Sequence, residues 1–264
     1  MKWSTTSLER KISIHGEVDL TTRIADISPA AYARIAGLGY LIIIAAGIFA
    51  EFFIRSSLIV VGDATATAGN IAASQSLFRT GIAGDLIMLI CDVVVALALY
   101  MLFRPVNKGL SLLAAFFRLV HAAVYGVNLL NLIIVALLAG GAGYLAAFQP
   151  AQSDALTMLF LSAHQYGYAI GLVFFGFHCM VLGYLVFRSG FLPKLLGVLL
   201  VLASVGYLVD SFANVLLPNY TDYESILVVV VFVPAFIAEL SLSLWLLIKG
   251  VNIGLTRQLN GVAS

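Results

Sequence analysis

Six apolar segments, each at least as long as the ~20 residues an α-helix needs to cross a hydrocarbon core, constrain the fold before any single motif does. They lie at about residues 32–54, 77–103, 110–139, 155–187, 195–217 and 226–248. A chain that is 62% hydrophobic and 10% charged, with a mean hydropathy of +1.06, is too apolar for a soluble domain, where ~45–50% is usual. Lipid offers no partner to a backbone N–H or C=O, so each segment must satisfy its own groups as a helix. The expectation is an all-α polytopic membrane bundle of six transmembrane helices, with the lipid bilayer as its first partner. A net charge of +1 supplies no field that would gather nucleic acid.

The punctuation between segments supports these boundaries. Ser28-Pro29 reads as an N-cap followed by proline at the first helical position. Asp63 is placed to cap a short interfacial helix within the loop 56–76, and Pro105 and Gly109 bound the next turn. The segment at 155–187 is longer than one perpendicular crossing requires, so it either tilts or begins in the interface. Pro234 is available to kink the last span. Residues 1–30 read as a polar arm with a surface-lying helix through Trp3, Leu8 and Ile12, residues 31–249 as the membrane domain, and 250–264 as a tail. The arm lacks an unbroken apolar core, so the first span, rather than a cleavable signal peptide, is expected to direct insertion. Eleven Lys and Arg fall on the side of the two termini and the turns at 104–109 and 188–194, against Arg55 and Arg79 on the other. By the positive-inside rule both termini are cytoplasmic. Cys91 and Cys179 sit inside apolar segments without metal spacing and read as small apolar fillers.

Function is sought where lipid should be. An Asp or Arg at a helix centre costs ~2.5–3.5 kcal/mol on the insertion scale, so such groups face the bundle, find partners and often mark a site. Counting ~1.5 Å per residue from the cytoplasmic helix ends puts Asp92, Arg118, His121, His178 and Glu239 at roughly 12–17 Å, near the midplane. The same count puts Glu51, Asp85, Asn128 and Asp210 at roughly 24–28 Å, with Asn131 and His164 somewhat further out.

Across an antiparallel turn centred near Asn107, residues whose numbers sum to about 214 are neighbours. That pairs Asp92 with Arg118 or His121, and Asp85 with Asn128. The turn near Phe191 likewise brings Asp210 beside Gly171 and Asn214 beside Tyr168. Gly167 and Gly171 form a GxxxG pattern, read as a close helix contact. Glu51 precedes Arg55 by four and reads as an interfacial pair.

Long stretches, among them AGIFAEFFIRSSLIVVGDATATAGNI, SLFRTGIAGDLIMLICDVVVALALYMLFRPVNKGLSLLAAFFRLVHAAVYGVNLLNL and GLVFFGFHCMVLGYLVFRSGFLPKLLGVLLVLASVGYLVDSFAN, carry a resemblance over about residues 34–247. There the chain resembles the bacterial integral-membrane family catalogued as domain of unknown function 4386. The resemblance implies a multi-span bacterial membrane protein and brings no catalytic or binding residue with it.

The leading expectation is therefore an inner-membrane module that binds or transports a small polar ligand or protons. Asp92, Arg118, His121, His178 and Glu239 form its centre, and Glu51, Asp85, Asn128, Asp210 and Asn214 its entrance. Three other readings stand beside it. His121, His178 and Asp92 have ligand types suited to zinc in a membrane enzyme. One b-type haem fits between His121 and His178, which lie at equal depth. Without either, the buried Asp–Arg pair is packing, and the protein is structural or assembles with a partner. The sequence names no cofactor.

Overall fold

The computed structural model describes residues 28–251. Six of its helices are long and apolar enough to cross a membrane. They are α1 (Pro29–Leu58), α3 (Gln75–Phe103), α4 (Lys108–Ala139), α5 (Pro150–Ser189), α6 (Lys194–Leu216) and α7 (Val229–Lys249), with the short α2 (Ala64–Ala73) in the first loop. The fold is all-α. The expected arm helix and the tail fall outside the described residues.

Local chemistry sets the helix ends. Ser28 Oγ accepts from Ala31 N at 3.2 Å with Pro29 in the first turn, and Asp63 Oδ1 accepts from Ala66 N at 2.8 Å to start α2. Asn107 Oδ1 accepts from Leu110 N at 2.9 Å and starts α4. Helix α5 runs unbroken for 40 residues, ~60 Å at 1.5 Å per residue, about twice a hydrocarbon core. Its first turns therefore stand beyond the apolar layer; α2 packs against them, and Thr65 Oγ1 donates to Asp154 at 2.9 Å. Helix α5 ends at Gly190, whose φ of 72° is the left-handed conformation that stops a helix. Pro234 follows a π-helical stretch at Val228–Phe232, which resets the backbone register just ahead of it.

Neighbour contacts run α1–α3–α4–α5–α6–α7 and back to α1, so the spans close into a ring. The tightest wall is α5 against α6. A Cβ on Gly183 would lie 2.7 Å from the Gly197 carbonyl oxygen, and one on Gly197 2.6 Å from that of Gly183, so only glycine lets these backbones meet. Faces are sorted opposite to those of a soluble bundle. On α3, Leu86, Ile90, Val93 and Leu97 are exposed while Asp85 and Asp92 are buried. Lipid solvates the first set and the ring solvates the second.

Candidate functional site

The centre of the ring is built on Arg118, a residue of α4 with no exposed surface. Its Nη2 lies 2.7 Å from Asp92 Oδ1 of α3, in an orientation that makes the contact an ion pair and not an aligned hydrogen bond. Its Nη1 donates to the Tyr40 hydroxyl of α1 at 2.7 Å and to His178 Nε2 of α5 at 3.1 Å. The guanidinium carbon stands 4.5 Å from the Tyr40 ring centre and 5.3 Å from that of Phe175. A charge taken out of water thus gains a carboxylate, two acceptors and two aromatic faces.

The two histidines differ in what they have left to offer. His178 Nδ1 lies 2.8 Å from the Ala114 carbonyl, which only accepts, so Nδ1 carries the proton and the Nε2 lone pair accepts from Arg118. Both nitrogens are engaged. His121 Nδ1 likewise donates to the Gly171 carbonyl at 3.0 Å, which leaves the Nε2 lone pair facing Asp92 Oδ2 at 3.9 Å. Two acceptors therefore face one another beyond hydrogen-bond distance. The Nε–H of Arg118 is also without a hydrogen-bond partner among the described residues. The valences left open at the centre belong to these three residues.

Farther along α3 and α4 lies a second tier. Arg55 donates to both oxygens of Asp85, Nη1 to Oδ2 at 2.7 Å and Nη2 to Oδ1 at 3.3 Å, while its Nε donates to Glu51 at 2.7 Å. The Tyr125 hydroxyl donates to Asp85 Oδ1 at 2.9 Å, and its ring stacks on His121 at 6.2 Å between centroids, one helical turn away. Arg55 and Tyr125 thus join the surface-exposed Glu51 to the buried centre. Arg55 is no mere interfacial partner of Glu51; it is buried, because the π-helical segment Phe49–Arg55 places it on the inner face with Ala50 and Ile54.

One expected pairing is arranged otherwise. Asp85 is not paired with Asn128, whose Nδ2 donates to the His164 carbonyl at 2.9 Å and lies 3.0 Å from His164 Nδ1. The GxxxG glycines make niches for polar side chains of α4. A Cβ at Gly167 would sit 2.0 Å from Asn128 Oδ1, and one at Gly171 3.3 Å from His121 Nδ1. Asp210 is buried and accepts from the Tyr220 hydroxyl at 2.9 Å, while Asn214 is half-buried one turn further along α6. Glu239 of α7 accepts from Tyr207 of α6 at 2.6 Å and forms no ion pair among the described residues.

The Phe175 ring stands between these halves. It lies 5.1 Å from His121 and 5.6 Å from His178 on one side, and 5.5 Å from Tyr207 on the other. Of the five central residues read from the sequence, the ring unites Asp92, Arg118, His121 and His178 and sets Glu239 apart with Tyr207. Tyr40 and Tyr207 escaped a depth count confined to charged groups and histidines; including tyrosines would have placed Tyr40 at roughly the same depth.

The donor set for zinc or haem is not assembled here. His178 presents its lone pair to a guanidinium, and among the described residues no three His, Cys, Asp or Glu side chains converge as metal ligands. A narrow crevice lined by Phe103, Ser111 and Leu185 reaches His178 from the α3–α4 turn and is nowhere wide enough for a water molecule.

A family model described as "Domain of unknown function (DUF4386)" matches residues 35–250, which takes in all but the edges of the six-helix ring. An uncharacterized protein of Archaeoglobus fulgidus is 35% identical over 169 residues, covering 64% of this chain and 83% of that relative. No solved structure matches.

Proposed function

The chain belongs to the DUF4386 family, and from that premise we propose that it is a proton-binding and proton-conducting membrane module whose exchange site is the facing pair His121 and Asp92. One observation carries the reading: His121 Nε2 and Asp92 Oδ2 meet as two acceptors at 3.9 Å, each fixed from behind. Gly171 holds the His121 ring through Nδ1, and Arg118 holds Asp92 through the other carboxylate oxygen.

A proton arriving at Nε2 turns two acceptors into a donor and an acceptor of opposite charge, and a small closure makes them a charge-assisted hydrogen bond. Arg118 keeps the carboxylate in place and opposes a second positive charge, so the proton is held and also released. Burial of both side chains favours a proton over a bulkier polar ligand. Glu51, Arg55, Asp85 and Tyr125 stand to one side of the pair as a closed tier that braces the helices, with Asn128 against the wall beside it.

The module is proposed to lie in a bacterial cytoplasmic (inner) membrane with both termini inside, the orientation being supported by the excess of Lys and Arg on that side of the sequence. The test is proton flux into proteoliposomes carrying an internal pH dye, driven by a potassium diffusion potential. Wild-type protein should acidify the lumen, whereas His121→Gln and Asp92→Asn should fall to the rate of protein-free vesicles. Unchanged flux in both variants, each still folded, would end the proposal.

A further inference from the structure

Beyond Phe175, on the α6–α7 wall, a second file of polar groups has no part in the exchange at His121 and Asp92. It starts at Tyr220, whose hydroxyl donates to Asp210 at 2.9 Å, passes Ser211, and ends where Tyr207 donates to Glu239 at 2.6 Å. Residues 207 and 211 are four apart and so share one face of α6. We infer that Glu239 and Tyr207 form a second proton-binding site, loaded along α6 from the Tyr220 end past Ser211.

Two independent observations carry the assignment. The first is the solitude of Glu239. It is 7% exposed and without an ion pair among the described residues, although Arg118 lies across the Phe175 ring from its partner Tyr207. The titratable and charged groups around it are Tyr207 from α6, Tyr40 from α1, Tyr168 and Cys179 from α5, and Arg118 with Asp92 across the ring. Arg118 is already neutralised by Asp92 at 2.7 Å, so among the described residues no ion pair balances this second carboxylate. An unbalanced carboxylate in a bilayer interior is expensive, and a proton is the smallest charge that removes the cost. A hard metal cation takes ~6 or more oxygens, which one carboxylate and one phenol do not supply.

The second observation is Ser211. Its hydroxyl is fully buried and has no hydrogen-bond partner among the described residues. Buried polar groups are almost always satisfied, so an open hydroxyl one turn from Tyr207 marks a place where a transferable hydrogen bond is made and broken. Asp210 and Ser211 lie one helical turn from Tyr207, so polar groups run from the Tyr220–Asp210 bond to the Tyr207–Glu239 bond along α6.

The assignment extends the proton-conducting reading without depending on it, and infrared spectra of the full-length protein in lipid test it separately. At neutral pH the wild-type spectrum should carry the C=O band of a neutral carboxylic acid. That band should vanish in Glu239→Gln, persist in Asp92→Asn, and move to higher frequency in Tyr207→Phe, which keeps the acid and drops its hydrogen bond. Transfer to D₂O should shift the band, and Ser211→Ala should slow that shift. A folded wild-type protein lacking the band, or a band lost in Asp92→Asn and kept in Glu239→Gln, overturns the site. Exchange equally fast in Ser211→Ala overturns the loading route. Should Glu239→Gln fail to fold, the band in wild-type protein and its shift in Tyr207→Phe decide the matter. An intact Glu239 band beside absent proton flux would sink the His121–Asp92 reading alone, and the reverse pattern would sink this one alone.

Discussion

Asp85 and Asp92 stand seven residues apart on one face of α3, each buried and each 2.7 Å from an arginine, yet they are held in different ways. Asp85 is closed. Both of its oxygens accept from Arg55, and Oδ1 accepts from Tyr125 as well. Asp92 is held by one oxygen only, and the other faces His121 across 3.9 Å. The same pair of residue types therefore makes a lock in one tier and an open valence in the other. What separates structure from function is the count of lone pairs left over once the charge has been balanced.

The largest effect should come from removing a cation. Arg118→Met strands Asp92 in the interior and should destabilise the protein by about 3–5 kcal/mol, read from thermal or denaturant unfolding in detergent. Adding Asp92→Asn should recover most of that loss, because no uncompensated charge remains. A double variant as unstable as the single would mean that Asp92 does not depend on Arg118.

A smaller effect is expected in the locked tier. Asp85→Asn keeps the shape but exchanges charge-assisted bonds for neutral ones, and should cost about 1.5–3 kcal/mol. Glu51 still partners Arg55, which limits the damage. Proton flux should stay near the wild-type rate, in contrast to Asp92→Asn. Equal loss of flux in the two variants would erase the distinction between lock and open pair.

How far the sequence foretold these tiers depends on which physics was local. Ser28, Pro29 and Asp63 could be read as helix starts because a cap needs only its own next three residues. Asp92 with Arg118 could be read because one short turn fixes how α3 and α4 face each other. Asp85 with Asn128 satisfied the same arithmetic and failed, since the Gly167 niche and His164 on α5 claim Asn128. Arg55 lay near a helix end, where a charge ordinarily meets headgroups, and only the π-helical turn brings it inward; nothing in residues 49–55 announces that turn. Glu239 takes its hydrogen bond from Tyr207 of α6 and has no ion pair among the described residues. Counting residues gives height along a helix and leaves open which way the residue faces in a ring of six, so it could not show that Glu239 would bond to Tyr207.

The smallest expected effect is the most discriminating, because Tyr125 touches both tiers. Its hydroxyl belongs to the lock at Asp85, and its ring belongs to the open pair through the stack on His121. Tyr125→Phe removes the first contact and keeps the second. If the tiers are separate, stability should fall by about 0.5–1.5 kcal/mol, the worth of one hydrogen bond, with flux unchanged. The loss should also be smaller in an Asp85→Asn background, where the hydroxyl has a neutral acceptor, and a double-mutant cycle of unfolding energies reads that coupling directly. A fall in flux with stability intact would have another meaning. It would show that the phenolic hydroxyl hands protons from Asp85 toward His121, and the lock would then be the outer half of the path.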